Sequence, residues 1–284
     1  MKRIIRNIIK ETVKSDFAWR VFSPFVRIAD YLSYWHQEQQ PKVEIQYLPD
    51  PEFIPLLGAP IVKRGPFSGL KYPDFQSFGS TIFPKIIGSY ENELEGVIEK
   101  ILSRKYTEVI DVGSAEGYYA NGFAIRIPGA KVFAYDVNER ANEFCQRMSV
   151  LNGVEDRMTV KQFCSQEALA AFIFSGRGLI ICDCEGYEKQ LFSKSNVSNL
   201  SNCDLLIETH DFIDMDISPY LIDLFKDTHT VSVIRSIDDI DKARDYVYPE
   251  MKSLDLNKRK KLVSEGRPGL MEWLFLEALS PVQS

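Results

Sequence analysis

The chain has 284 residues, enough for one α/β domain with extensions or for two domains. Its composition, 45% hydrophobic and 26% charged with 18 Phe and 13 Tyr, is that of a globular protein and excludes general disorder. A net charge of -6 supplies no basic face to displace counterions from phosphates, so nucleic acid is not an expected partner, and no apolar run of about 18 residues is present to span a bilayer.

Residues 1 to about 40 place Ile4, Ile5, Ile8, Ile9 and Val13 at helical spacing among Lys2, Arg3, Arg6, Lys10 and Lys14. This pattern predicts a basic amphipathic helix. Two roles suit it: an anchor on the inner, anionic membrane surface, aided by Phe17, Trp19, Phe22 and Trp35, or packing on the main domain or a second subunit as a homo-oligomer. The segment lacks the uninterrupted apolar stretch of a secretory signal, and five irregularly spaced cysteines read as reduced thiols, so a cytoplasmic location is expected.

From Pro41 to Gly88 prolines and glycines punctuate short β-like pieces such as Val43 to Tyr47. That composition predicts an irregular arm, with 1–88 set apart from a regular domain over 89–284. The domain opens with a helix over Glu91 to Arg104, whose Leu94, Val97, Ile98, Ile101 and Leu102 share one face. Seven strands are then expected, at Glu108 to Gly113, Lys131 to Val137, Met158 to Cys164, Gly178 to Cys184, Cys203 to Thr209, Thr230 to Ser236 and Glu272 to Ala278. Helical segments alternate with them, one closed by Asn152-Gly153 and one opened by Ser218-Pro219. The alternation predicts an α/β fold, a Rossmann-like doubly wound sheet. A polar insertion at about 238–268 carries Lys258-Arg259-Lys260-Lys261, read as a solvated helix face seated through Leu256 and Leu262.

The cofactor site is expected where the first strand runs into a glycine turn and a helix, at Asp111, Gly113, Ser114, Ala115, Glu116, Gly117 and Tyr118. The glycines let backbone approach a ligand, and the helix start offers unpaired N–H groups. The second strand ends at Asp136 and Val137, where a carboxylate can accept hydrogen bonds from both hydroxyls of a ribose. A dinucleotide fingerprint needs G-x-G-x-x-G, which this turn lacks. Asp111 suits the positively charged amino acid end of S-adenosylmethionine, whereas it would repel a pyrophosphate. A nicotinamide-dependent oxidoreductase is therefore the weaker alternative.

These residues carry a resemblance. Asp111 to Tyr119 is similar to the first motif of class I methyltransferases, and Asp183-Cys184-Glu185-Gly186-Tyr187-Glu188 resembles the D-x-E-G-x-E motif of the FkbM family. Leu206-Ile207-Glu208-Thr209-His210 looks like that family's fifth-strand end, so the likeness covers about residues 90 to 280. It implies a seven-strand sheet with the last strand antiparallel, bound S-adenosylmethionine, and O-methylation of hydroxyls, often on saccharides or secondary metabolites. Ala115 stands where many relatives carry glycine, which keeps a non-catalytic binding or scaffold module open as an alternative.

The chemistry is expected at the fourth and fifth strand ends. Methyl transfer to a hydroxyl needs a base to take its proton, and His210 has the side chain whose ordinary pKa suits that task, the alternative being a strand-end histidine that hydrogen-bonds a carboxylate. Asp183 is expected beside the methyl group and Glu185 beside the acceptor. Glu188 either holds acceptor hydroxyls or caps the following helix. A divalent cation joining Asp183, Glu208, His210 and Asp211 is a further chemistry these residues offer, but such carboxylates more often orient polar substrates, so no metal is assigned. Tyr90 and Glu91 are expected to close on the cofactor's amino acid end and Arg267 to hold an anionic acceptor through its planar fork, the alternative being a helix N-terminal acid and a turn arginine with no ligand. Cys182 and Cys184 read as buried strand thiols, since no second pair completes a zinc site. No D/N-P-P-Y/F sequence follows the fourth strand, so a hydroxyl is preferred to an amide nitrogen.

Overall fold

The structure, a computed structural model, describes residues 50–279. The basic helix expected over 1–40 and the β-like piece at 43–47 lie outside the described residues. Seven strands form one sheet: β1 (Glu108–Val112), β2 (Lys131–Tyr135), β3 (Met158–Lys161), β4 (Gly178–Cys182), β5 (Cys203–Thr209), β6 (His229–Arg235) and β7 (Glu272–Ala278). Their order is β3-β2-β1-β4-β5-β7-β6, with β7 antiparallel to both its neighbours. The expected α/β sheet with an antiparallel last strand is thus observed. Strand order reverses between β1 and β4, so the crevice outside their carboxyl ends is where this topology places a ligand.

The two faces of the sheet bury different partners because successive side chains alternate. Val109, Leu179, Ile181 and Phe275 face one core, while Ile110, Ile180, Cys182 and Leu274 face the other. The first core takes α3 (Glu95–Leu102), α4 (Tyr118–Arg126) and α5 (Glu139–Asn152), which follow the short helices α1 (Ile54–Leu57) and α2 (Ile82–Ile87). The second lies under α8 (Ile217–Phe225), preceded by the short α6 (Gln166–Ala170) and α7 (Glu188–Leu191). α5 ends on Gly153, the stop its sequence predicts, and begins where the Asn138 side chain accepts from the Arg140 and Ala141 N–H groups, a cap not expected beforehand.

The proline-rich arm corrects the expected domain division at residue 88. Phe53, Val62, Phe67, Leu70, Ile82, Phe83 and Ile86 are buried in the same core as the sheet, so residues 50–88 are part of the domain. Gly122, inside α4, shows the fit: a Cβ there would lie 2.6 Å from the Phe67 ring. Burying side chains of this kind stabilises by about 1.5–3 kcal/mol each, enough to seat an arm with little regular structure.

Two local expectations change. α8 starts before Ser218, which does not cap it but directs its N–H and hydroxyl to the Asp211 carboxylate. The insertion forms α9 (Asp239–Asp245) and α10 (Leu256–Val263), where Leu262 is buried but Leu256 is exposed. Only one end of the basic run is therefore seated.

Candidate functional site

The glycine turn after β1 packs closely on the exit of β4. Gly113 sits at φ 80° with its Cα against the β4 exit, so that a Cβ would lie 1.6 Å from the Asp183 carbonyl oxygen. Ala115 adopts φ 45°, a conformation that a glycine would take without strain. Asp111 is buried, accepts a hydrogen bond from the Ala120 N–H and has no partner for Oδ2 among the described residues; nor has the buried Ser114 hydroxyl. Burial pushes Asp111 up to about 7. Just beyond β2, Asp136 takes the Ala115 and Asn138 N–H groups at 2.8 and 2.9 Å, and the neighbouring Val137 is 75% exposed. Unpartnered polar atoms beside a close-fitting backbone cradle suit the amino acid and ribose of S-adenosylmethionine.

Two members of the expected cofactor set turn elsewhere. Glu116 is fully buried and accepts from the Tyr72 hydroxyl, the Ser77 hydroxyl and the Phe78 N–H, and it pairs with Lys85. It fastens the arm instead of facing a ligand. Tyr118 is packed among Phe67, Tyr90 and Tyr119, with ring centroids 5.2–5.3 Å apart. Its side chain belongs to the core.

At the exits of β4 and β5 lies a polar cavity of about 220 Å³, lined by Tyr90, Glu91, Asp183, Glu185, Glu208, His210, Phe212, Glu265, Arg267 and Met271, among others. His210 is buried. Its Nδ1 lies 2.6 Å from Glu188 Oε1, and its Nε2 faces Asp183 Oδ1 at 3.4 Å and Glu185 Oε2 at 3.5 Å. A carboxylate on Nδ1 holds the proton there and leaves Nε2 as the nitrogen turned to the cavity. Burial alone lowers the His210 pKa, but Glu188, Glu208 and Glu185 outweigh it and the net direction is up. Glu188 is fully buried, so it neither holds an acceptor nor merely caps α7. It orients the histidine.

Glu185 stands at φ 54° with its side chain exposed, which turns the chain sharply at the cavity mouth. Burial, followed by the charge of Glu185, pushes Asp183 up to about 8, and burial with the charge of Asp183 does the same for Glu208.

Arg267 is the largest departure from expectation. Its fork donates to Glu91 (2.8 Å), Glu265 (2.7 Å) and Glu208, so three carboxylates of the protein occupy the group expected to bind an anionic acceptor. Glu265 is also bound by the buried Lys242. Glu91 further accepts the Tyr119 hydroxyl, and burial pushes it up to about 8. The loop before β7 is thereby tied to the segment before α3 and to β5, with Tyr90 and Glu91 forming cavity wall.

Of the four residues weighed for a cation, Asp183 and His210 come together and Glu208 and Asp211 are engaged elsewhere. Asp211 is engaged by Ser218 and Glu208 by Arg267, whereas Asp183, Glu185 and His210 each bring a ligand atom within 4.8 Å of one another. Cys182 and Cys184 are reduced, with Sγ atoms 3.4 Å apart. His229 is a structural histidine, its Nε2 on the Cys203 carbonyl at 2.9 Å. A larger groove of about 870 Å³ is walled by arm residues 59–73 and by α5, with no strand-end residue in it. The acids and the histidine at the strand exits line the smaller cavity instead.

No family profile matches the chain. The release factor glutamine methyltransferase of Flavobacterium psychrophilum is 36% identical over 70 residues, 25% of this chain; the match spans only a quarter of that relative's length. Among solved structures, an rRNA methylase from Streptococcus thermophilus is 16% identical at a TM-score of 0.42, covering 66% of this chain and 97% of its own. An O-methyltransferase family protein from Burkholderia thailandensis is 12% identical at 0.40, covering 70% and 60%.

Proposed function

We propose that this protein is an S-adenosylmethionine-dependent methyltransferase that methylates a hydroxyl, on a saccharide or a glycosylated small molecule, with His210 as general base. The observation that carries the reading is the buried His210, held on Nδ1 by Glu188 and presenting Nε2 to Asp183 and Glu185 in a cavity beside the glycine turn. The strand order, with its antiparallel last strand, agrees with the resemblance of Asp111 to Tyr119 and of Asp183 to Glu188 to methyltransferase motifs. The stretch similar to a glutamine methyltransferase supports methyl transfer in general. β4 here is followed by Asp183-Cys184-Glu185-Gly186, not by D/N-P-P-Y/F, which favours a hydroxyl acceptor.

S-adenosylmethionine, when bound, supplies an electrophilic methyl group on a sulfonium sulfur. Asp111, Ser114 and the turn around Gly113 would hold its amino acid end, with Asp136 at its ribose and Val137 on its base. His210 Nε2 would take the proton of the acceptor hydroxyl as the methyl carbon passes from sulfur to that oxygen, the bond to sulfur breaking and S-adenosylhomocysteine leaving. Glu188 stabilises the imidazolium that forms, and Asp183 and Glu185 orient the hydroxyl. Titration with S-adenosylmethionine and S-adenosylhomocysteine, followed by a screen of hydroxylated acceptors for methyl transfer, tests the reading. Absence of binding to both would refute it.

A further inference from the structure

Resting on the methyl-transfer reading, we propose that the acceptor is an uncharged amphiphile: a hydroxyl-bearing polar end enters the cavity while an adjoining apolar portion lies across Phe212 and Ile213 at its rim. Two independent features carry this. The first is charge. Glu91, Asp183, Glu185, Glu208 and Glu265 line the cavity, and Arg267, the one arginine or lysine of its lining among the described residues, already serves three of them. An anionic group entering here would find the guanidinium fork already taken and acidic side chains around it, so uronates and sugar phosphates are disfavoured.

The second is size and surroundings. At about 220 Å³ the cavity falls below the range of about 300–1,000 Å³ that encloses whole ligands. One small ring or hydroxyl-bearing end fits, and the remainder of the acceptor must lie outside. The surface it meets there is apolar. Phe212 lines the cavity with its ring centroid 5.8 Å from that of His210, and it is 57% exposed. Ile213, 55% exposed, sits over Gly186, where a Cβ would lie 3.2 Å from it. Across the cavity Pro268 and Met271 continue the lining. An exposed aromatic ring beside His210, with the exposed Ile213 next to it in the chain and over Gly186, offers area to an apolar group that arrives with the hydroxyl. The acceptor's own apolar portion is the occupant whose position the cavity dictates.

The test uses the full chain saturated with S-adenosylhomocysteine and compares binding of methyl β-glucoside with that of octyl β-glucoside below its micelle concentration. Octyl glucoside is expected to bind at least tenfold more tightly, and the preference to vanish in the Phe212→Ser, Ile213→Ser double variant. Ile173→Ser, at an exposed apolar residue before β4 and hence at the other end of the sheet, is expected to leave it in place. Thermal melting of each variant confirms folding. Equal affinities, no binding of either glycoside, or a preference that survives the double variant overturns the proposal. So does an apolar rim whose loss abolishes dimerisation or vesicle binding without altering glycoside preference. If S-adenosylhomocysteine itself fails to bind, the methyl-transfer reading falls; if it binds and chain length has no effect, only the amphiphile does.

Discussion

Glu188 Oε1 lies 2.6 Å from His210 Nδ1, and both side chains are buried. The two residues come from different strand exits, so this contact joins β4 to β5 at the cavity. It also makes the cavity-facing nitrogen Nε2. Glu188→Gln removes the charge that raises the His210 pKa, and the rising limb of the kcat/KM–pH profile is expected to move to lower pH. kcat should fall by about 10²-fold, at the low end of the range for general-base catalysis, because the imidazolium loses its counterion. His210→Ala should cost more, up to about 10⁴-fold, with unchanged affinity for S-adenosylmethionine. A pH profile identical to wild type in Glu188→Gln would remove the positioning role.

Asp136 accepts N–H groups from both the glycine turn and the start of α5. Its replacement by alanine is expected to weaken S-adenosylmethionine binding by about 1.5–3 kcal/mol, the scale of hydrogen bonds to a charged group. Calorimetric titration of the folded variant reads this directly, and wild-type affinity would take Asp136 away from the ribose.

Lys85 and Glu116 form a buried pair, 2% and 0% exposed, and Glu116 also receives three hydrogen bonds from residues 72–78. Removing one partner strands the other charge in the core. Lys85→Ala or Glu116→Ala should therefore destabilise the protein by about 3–5 kcal/mol in chemical denaturation. A loss below about 1 kcal/mol would mean that the arm is not fastened through this pair.

Stability should fall as pH rises. Burial is the first cause that pushes Glu91, Asp183 and Glu208 up to about 8 and Asp111 to about 7. Such an acid keeps a proton in the folded state that the unfolded chain has already lost, so the native state binds more protons between roughly pH 4 and 8 and is progressively disfavoured across that window. The raised pKa of His210 acts with the same sign: its stabilisation is present at low pH and is lost as pH climbs through the folded pKa. The Tm of ligand-free protein is expected to drop between about pH 5.5 and 8.5, and Glu208→Gln to flatten the slope. A Tm that rises over this interval would contradict the burial of these groups.

Local pattern was sufficient for the sheet. All seven strands and the cap of α5 at Asn152-Gly153 lie in the alternation of apolar runs and turn residues, because strand and helix periodicity act over a few neighbours. The gathering of Asp183, Glu185 and His210 was legible too, since adjacent parallel strands end on the same edge of a sheet. The partners of charged side chains were not. Arg267 reads as a free fork in a loop, yet Glu91, 176 residues away, and Glu208 close around it. Glu188 reads as a ligand or a cap, and Glu116 as part of a glycine turn, until the fold brings His210 to one and Lys85 to the other. A buried charge must find its counterion wherever the chain supplies one. That choice depends on three-dimensional distance, which sequence spacing does not encode, so the elements of this protein follow from its residues in order and the roles of its ionised groups only from their packing.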